Sequence, residues 1–435
     1  MSTEKLPEGA QLTALDVQPK SLEFRGPFDY AQVLVTGKLA SGETPDVTRL
    51  AAEVAKISPA DAPNVARFLN DNRHKLELFR PCLERPFSGW TDLIRWQLIK
   101  LFPTLRPWAS LDAELGRYFS DARIRLAFSF QSKYLGMSPF NCPSLFSILS
   151  FLEYEYGVWH PTGGCSAVSD HLARIAREMG VRISLGEEVK EVLFEGRRAV
   201  GVRTASGEHR ADALVINADF AHAMTHLVDA RDRRTFTDEN LRGRAYSCST
   251  FMLYLGIDGR WDAPHHNIFF SRDYRQFIGD VAGGRVSQDP SMYVQNASVT
   301  DPTLAPAGKS TLYALVPMPN NTAGIAWTAD QVAAMRDQVL TMLEQRGGMP
   351  DIRRRIEVER VMTPQDWESR TNVYHGAVFN LAHTLDQMMY LRPHNRFQEF
   401  GRCYLVGGGT HPGSGLPTIY ESGRIAADLI SRDIA

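Results

Sequence analysis

An apolar strand that runs directly into glycine constrains this chain more than any other feature: Arg402-Cys-Tyr-Leu-Val-Gly-Gly-Gly-Thr-His-Pro-Gly-Ser-Gly-Leu-Pro417. Gly407, Gly409, Gly413 and Gly415 free the backbone to approach a ligand. A helix expected from about Thr418 to Arg432 opens with unpaired N–H groups that carry partial positive charge. Its small residues Ser422, Gly423, Ala426 and Ala427 permit close packing. Strand, glycine loop and helix in this order belong to a doubly wound sheet that receives an anion at the helix start. A tight structural turn needs the same glycines and is the competing explanation. The usual companion motif, GxGxxG with an acidic residue about 20 positions later, does not occur in the sequence.

Upstream, the pattern alternates between helix and strand. Gly163-Gly164 precede a helix with Val168, Leu172, Ile175, Ala176 and Met179 on one face, ending at Gly180. Val181–Leu185 alternates with period two and predicts a strand. Val189–Phe194 and Ala199–Thr204 predict a hairpin around Glu195-Gly196-Arg197. The nearly all-apolar run Ala213-Leu-Val-Ile-Asn217 predicts a strand buried on both faces. Residues 48–83 read as helical, with Ser58-Pro59-Ala60-Asp61 as a helix start. Phe28–Thr36, Thr250–Ile257 and Thr311–Pro317 read as strands, and Ala329–Gln345 as a helix.

At 435 residues the chain is long enough for two or more domains. Its 48 Lys+Arg against 50 Asp+Glu give no basic field for nucleic acid. Cysteines at 82, 142, 165, 248 and 403 have no metal-finger spacing and fit a reducing compartment. Neither HExxH nor GxSxG occurs, and no histidine is read as a metal ligand. The polar start and the lack of a long apolar run predict a cytoplasmic location. Residues 85–108 hold three of the seven tryptophans among aliphatic and basic side chains, Arg85, Arg95, Lys100 and Arg106. That mixture predicts either a helix lying in a membrane interface or a core helix with snorkelling charges.

Several segments together resemble the bacterial-type phytoene desaturases, FAD-dependent carotenoid desaturases of the amine-oxidase-like flavoproteins. They are Phe128–Phe140, Gly157-Val-Trp-His-Pro-Thr-Gly-Gly164, Gly201-Val-Arg-Thr204, Val215-Ile-Asn-Ala-Asp219, Thr300–Gly308, Leu391-Arg-Pro-His-Asn-Arg396 and Tyr404–Pro417. The likeness runs in unbroken order from about residue 20 to 432. Members of that family begin with a GxGxxG βαβ unit, and by this resemblance the chain starts downstream of it.

The resemblance implies an α/β fold: an amine-oxidase-like FAD-binding flavoprotein with a discontinuous, N-terminally truncated Rossmann-type domain. An α+β substrate domain with a helical cap completes it. The cofactor domain is expected at 157–235 and 395–435, the substrate domain at 1–156 and 236–394, and the helical, membrane-contacting cap at 60–150. The matched positions imply that Val189 meets the adenine, with Ala218 near the same end. Gly409 and Thr410 match the pyrophosphate and ribityl contacts. Gly415, Leu416, Pro417 and Thr418 match the segment under the isoalloxazine. Asp121 and Arg125 match charged positions near the reacting carbons, against an i,i+4 surface ion pair as the plain alternative. The implied reaction is desaturation of a long polyene by hydride transfer to flavin N5, by a protein peripherally bound to a membrane surface, with no metal. The alternatives are a non-catalytic remnant that does not hold FAD, or a related FAD-dependent carotenoid isomerase or oxygenase.

Overall fold

The computed structural model describes residues 11–18, 34–39, 45–87, 89, 91–92 and 103–434. The first part of the expected strand at 28–36 and most of the tryptophan-rich stretch, including Trp90 and Trp96, lie outside the described residues. The chain divides into two compact units, one of residues 1–81, 95–133 and 139–159, the other of residues 82–94, 134–138 and 160–435.

The first unit is mostly helical. An antiparallel pair, β1 (Leu12–Gln18) and β2 (Leu34–Leu39), precedes α1 (Pro45–Ile57) and α2 (Asn64–Leu83), and the short α3 (Leu111–Leu115), α4 (Ala122–Ala127) and α5 (Ser147–Tyr156) follow. Phe68 on α2 anchors the core, its ring 5.5 Å from Tyr118 and 5.1 Å from Phe128. The turn Ser58–Asp61 does not open the helix, which starts at Asn64. Instead the Asp61 carboxylate accepts the N–H groups of Ser120 at 2.8 Å and Asp121 at 2.9 Å. A capping side chain here serves a distant turn because that turn offers two unpaired donors.

The second unit begins with α6 (Gly164–Glu178) and the meander β3 (Glu191–Glu195), β4 (Arg198–Thr204) and β5 (Gly207–Arg210). Then come β6 (Leu214–Ile216), β7 (Ser249–Asp258), β8 (His266–Phe269), β9 (Met292–Asn296), β10 (Lys309–Met318), α7 (Ala329–Arg346), β11 (Ile356–Met362), β12 (Cys403–Leu405) and α8 (Leu416–Ile434). The antiparallel sheet runs β11-β7-β10-β9-β8. Alternation along β7 sends Phe251, Leu253, Leu255 and Ile257 into a core shared with Val339, Leu340 and Leu343 of α7. Its other face carries the half-buried Tyr254, Tyr313 and Tyr293, with Tyr313 opposite Tyr254.

β6 and β12 form a two-stranded parallel pair, and α8 packs Ile425, Ala426 and Leu429 on Tyr404. Two expectations are corrected here. Val181–Leu185 forms no strand, and Leu185 is 84% exposed. Val215 on β6 is 45% exposed, so that strand is not buried on both faces. Alternation marks a strand only where a neighbour supplies the ladder, and no described strand pairs with 181–185. Of the small-residue stripe on α8, Ser422 and Ala426 are buried and Ala427 faces solvent.

Candidate functional site

Parallel strands end on the same side, and ligands of open α/β sheets sit outside those carboxyl ends. β12 pairs with β6 so that Leu405 lies beside Ile216, and the Val406 N–H reaches the Ile216 carbonyl at 3.1 Å. The chain leaving β6, Asn217-Ala218-Asp219, therefore runs beside Gly407–Gly409. Glu188, next to Val189, interacts electrostatically with His222, which brings the start of the hairpin toward the same end. Val189, Ala218, Gly409, Thr410 and the Gly415–Thr418 segment all belong to the second unit.

The loop between β12 and α8 is held close. A Cβ on Gly409 would stand 2.5 Å from Asn380 Oδ1 and 2.7 Å from the Phe220 Cβ, so only glycine fits. Gly413, at φ 139°, would meet His383 Nε2 at 2.6 Å. Asn380 Nδ2 donates to the Asp219 carboxylate at 2.5 Å, and Asp219 also accepts the His222 N–H at 3.0 Å. Burial pushes the Asp219 carboxyl up to about 6 despite these donors.

Beneath the loop lies the Arg-Pro-His-Asn-Arg segment. Arg392 is 1% exposed, and its five N–H groups donate to five carbonyls. Nε reaches Thr410, Nη1 reaches Ala382 and Gln387, and Nη2 reaches Leu381 and Gly408, the last at 2.6 Å. Burial, aided by nearby Arg244, lowers the guanidinium to about 9, which leaves it charged at neutral pH. Asn395 Nδ2 donates to the His411 carbonyl at 2.9 Å, and the His411 N–H to the Pro393 carbonyl at 3.0 Å.

Two buried histidines complete the support. His383 Nε2 accepts the Ser414 N–H at 3.0 Å. His411 Nε2 donates to the Arg85 carbonyl at 3.0 Å, with the Phe87 ring edge-on at 4.9 Å. The first residues of the tryptophan-rich stretch are thus built into this loop. Burial lowers both imidazoles, His411 to about 3, so both are neutral.

Asp121 and Arg125 lie in the first unit and do not pair with each other as an i,i+4 couple would. Asp121 caps α4, accepting the Arg123 N–H at 2.8 Å and its Nη2 at 2.7 Å. Those bonds to Arg123 hold its carboxyl at about 2. Arg125 turns instead to Asp112 at 3.4 Å and the Ser120 carbonyl at 2.8 Å. The cap won because a carboxylate at that position meets two donors of Arg123, two residues before Arg125.

Reading motifs alone misses Arg392, Asn395, His383 and Asn380 as parts of the site. The signal for the first two was present in the Leu391-Arg-Pro-His-Asn-Arg396 segment, whose arginine and asparagine the fold buries. A cleft of about 590 Å³ lined by Arg198, Arg396, Arg402 and Asp433 opens at the amino end of β12, away from the loop.

The residues present fit a flavin dinucleotide. The cradle excludes any Cβ at Gly409, and the buried Gly409 N–H has no partner among the described residues. Farther along the chain, Leu416 at 52% and Tyr420 at 50% exposure offer apolar surface at the start of α8.

Residues 26–431 match the flavin containing amine oxidoreductase family, and the chain belongs to it. It is an FAD-dependent oxidoreductase with the expected α/β, amine-oxidase-like fold. A 4,4'-diapophytoene desaturase (4,4'-diapolycopene-forming) of Methylomonas sp is 48% identical over 389 residues, 89% of this chain and 76% of that protein. An all-trans-zeta-carotene desaturase of Myxococcus xanthus is 41% identical over 401 residues, 90% of this chain and 74% of that one. A solved structure of an oxidoreductase from Methanosarcina mazei shares the fold with a TM-score of 0.51 at 18% identity, over 79% of this chain and 73% of that one.

Proposed function

We propose that this chain desaturates a long polyene of the phytoene or diapophytoene class in carotenoid biosynthesis. The observation that carries the reading is the 48% identity to a diapophytoene desaturase across 89% of the chain. Desaturase relatives do not favour the remnant, isomerase or oxygenase alternatives. When bound, the flavin supplies the hydride acceptor for oxidation of a carbon–carbon single bond. The protein supplies position and dryness. In this reading Gly409 and Thr410 hold the pyrophosphate and ribityl chain, Val189 and Ala218 flank the adenine, and Gly415–Thr418 carry the ring. Leu416 and Tyr420 shield it from water. Asp121, kept ionised by Arg123, and Arg125 are the charged groups assigned to the reacting carbons. The cofactor domain takes 157–235 and 395–435, and the substrate domain takes 1–156 and 236–394.

No helix among the described residues is long and apolar enough to cross a membrane. The aromatic and basic stretch at 85–108 supports peripheral binding to the cytoplasmic membrane surface, where an apolar substrate resides. Trp96→Glu with Leu98→Glu should release the protein from liposomes; unchanged co-sedimentation would remove the membrane assignment.

The function is tested by loading the chain with FAD and adding phytoene or diapophytoene without oxygen. Bleaching of the flavin band and a product of longer conjugation are expected. A loaded protein that neither bleaches nor converts any polyene ends the desaturase reading.

A further inference from the structure

We propose that Arg392 is a positioning residue that turns the Gly408–Thr410 loop outward as a receptor for negative charge and backs it with a buried positive charge. The proposal rests on the flavin reading of this site and concerns what makes its loop receptive.

All five guanidinium donors end on backbone carbonyls. Among the described residues no carboxylate pairs with Arg392, and the charged neighbour it does feel is another cation, Arg244. Carbonyl dipoles solvate a charge without neutralising it, so burying this one has an electrostatic cost that an anion nearby would offset. The geometry says where that anion sits. The Gly408 carbonyl is drawn to Nη2 at 2.6 Å. In a planar trans peptide the N–H that follows points the opposite way. The Gly409 N–H therefore points away from Arg392, across the strand of loop that the guanidinium grips, and no described residue accepts a hydrogen bond from it. An unpaired donor on the far side of the peptide and a cation behind it describe one half of an anion site, in the loop that leads into the 19-residue α8. The negative charge of a flavin dinucleotide has two sources: its pyrophosphate, and the ring once reduced.

The test separates these sources. Inorganic pyrophosphate should bind the wild-type chain and slow amide exchange at Gly409. Arg392→Gln should weaken pyrophosphate and FAD binding by about tenfold or more while riboflavin, which has no phosphate, loses much less. Arg392→Lys keeps the charge with three donors and should recover part of that loss. If affinities hold but the bound flavin's midpoint potential becomes more negative in Arg392→Gln, the charge serves the reduced ring, and the proposal stands with that source. Equal weakening of FAD and riboflavin with an unchanged potential makes Arg392 merely structural and overturns it. Should the variants fail to fold, the wild-type experiment decides: a Gly409 amide that exchanges equally with and without pyrophosphate and FAD overturns it as well. Failure of the desaturase reading shows separately, as bound flavin that no polyene reduces.

Discussion

Helices α6 and α8 follow glycine turns in the same unit, and both carry an apolar stripe on one face. Yet α8 buries Ser422, Ile425, Ala426 and Leu429, while no residue of α6 is buried. The difference lies outside the helices. α8 meets Tyr404 of a paired strand, and Asn395 and Arg396 of the segment beneath it reach the Ser422 carbonyl and Asp433. Leu172 on α6 and Met179, Val181 and Leu185 just after it stay in solvent. Periodicity states which face a helix offers; only a partner surface converts that offer into stability.

Substitutions on the two helices should separate them. Ile425→Ala on α8 should cost about 2–5 kcal/mol, the range for a large-to-small change in a packed core, read by urea denaturation. Gly409→Ala comes next, at about 1–3 kcal/mol of overpacking, with flavin retention falling alongside; a variant as stable and as yellow as wild type would show that the loop has slack. Third is acid sensitivity. His411 is held at about 3 in the folded state, below the 6.5 it has when unfolded. Its contribution is therefore complete above pH 6.5 and drains away as pH falls from 6.5 toward about 3. Asp219, raised to about 6, works the other way, relieving a cost as pH falls from 6 toward its ordinary value. Melting temperature against pH should thus fall less steeply in His411→Asn and more steeply in Asp219→Asn. The smallest effect belongs to α6, where Leu172→Ala or Met179→Ala should stay within about 0.5 kcal/mol. A loss of 2 kcal/mol there would mean that the face is covered in solution.

Local pattern made a large part of this unit legible. The hairpin at 191–204, the long strands β7 and β10, helix α7 and the glycine loop with its helix all stand within a few residues of where the sequence places them. Each is announced by signals within one turn or one strand, such as alternation or glycines after an apolar run. What stayed hidden depends on distant partners. Asp61 looks like a cap and serves Ser120 and Asp121 across the chain. Asp121 and Arg125 stand at helical spacing but bind Arg123 and Asp112. Val181–Leu185 has strand alternation without a described strand to pair with. Arg392 reads as a surface charge until the fold surrounds it with carbonyls.

The bond from His411 to the Arg85 carbonyl joins residues 326 positions apart. Closing so long a loop costs entropy that local contacts do not repay, so such contacts form late. During synthesis His411 must leave the ribosome before that contact can form. The meander and the antiparallel sheet contain their own partners and need not wait. The flavin cradle should therefore gain its protection against amide exchange later than the meander does.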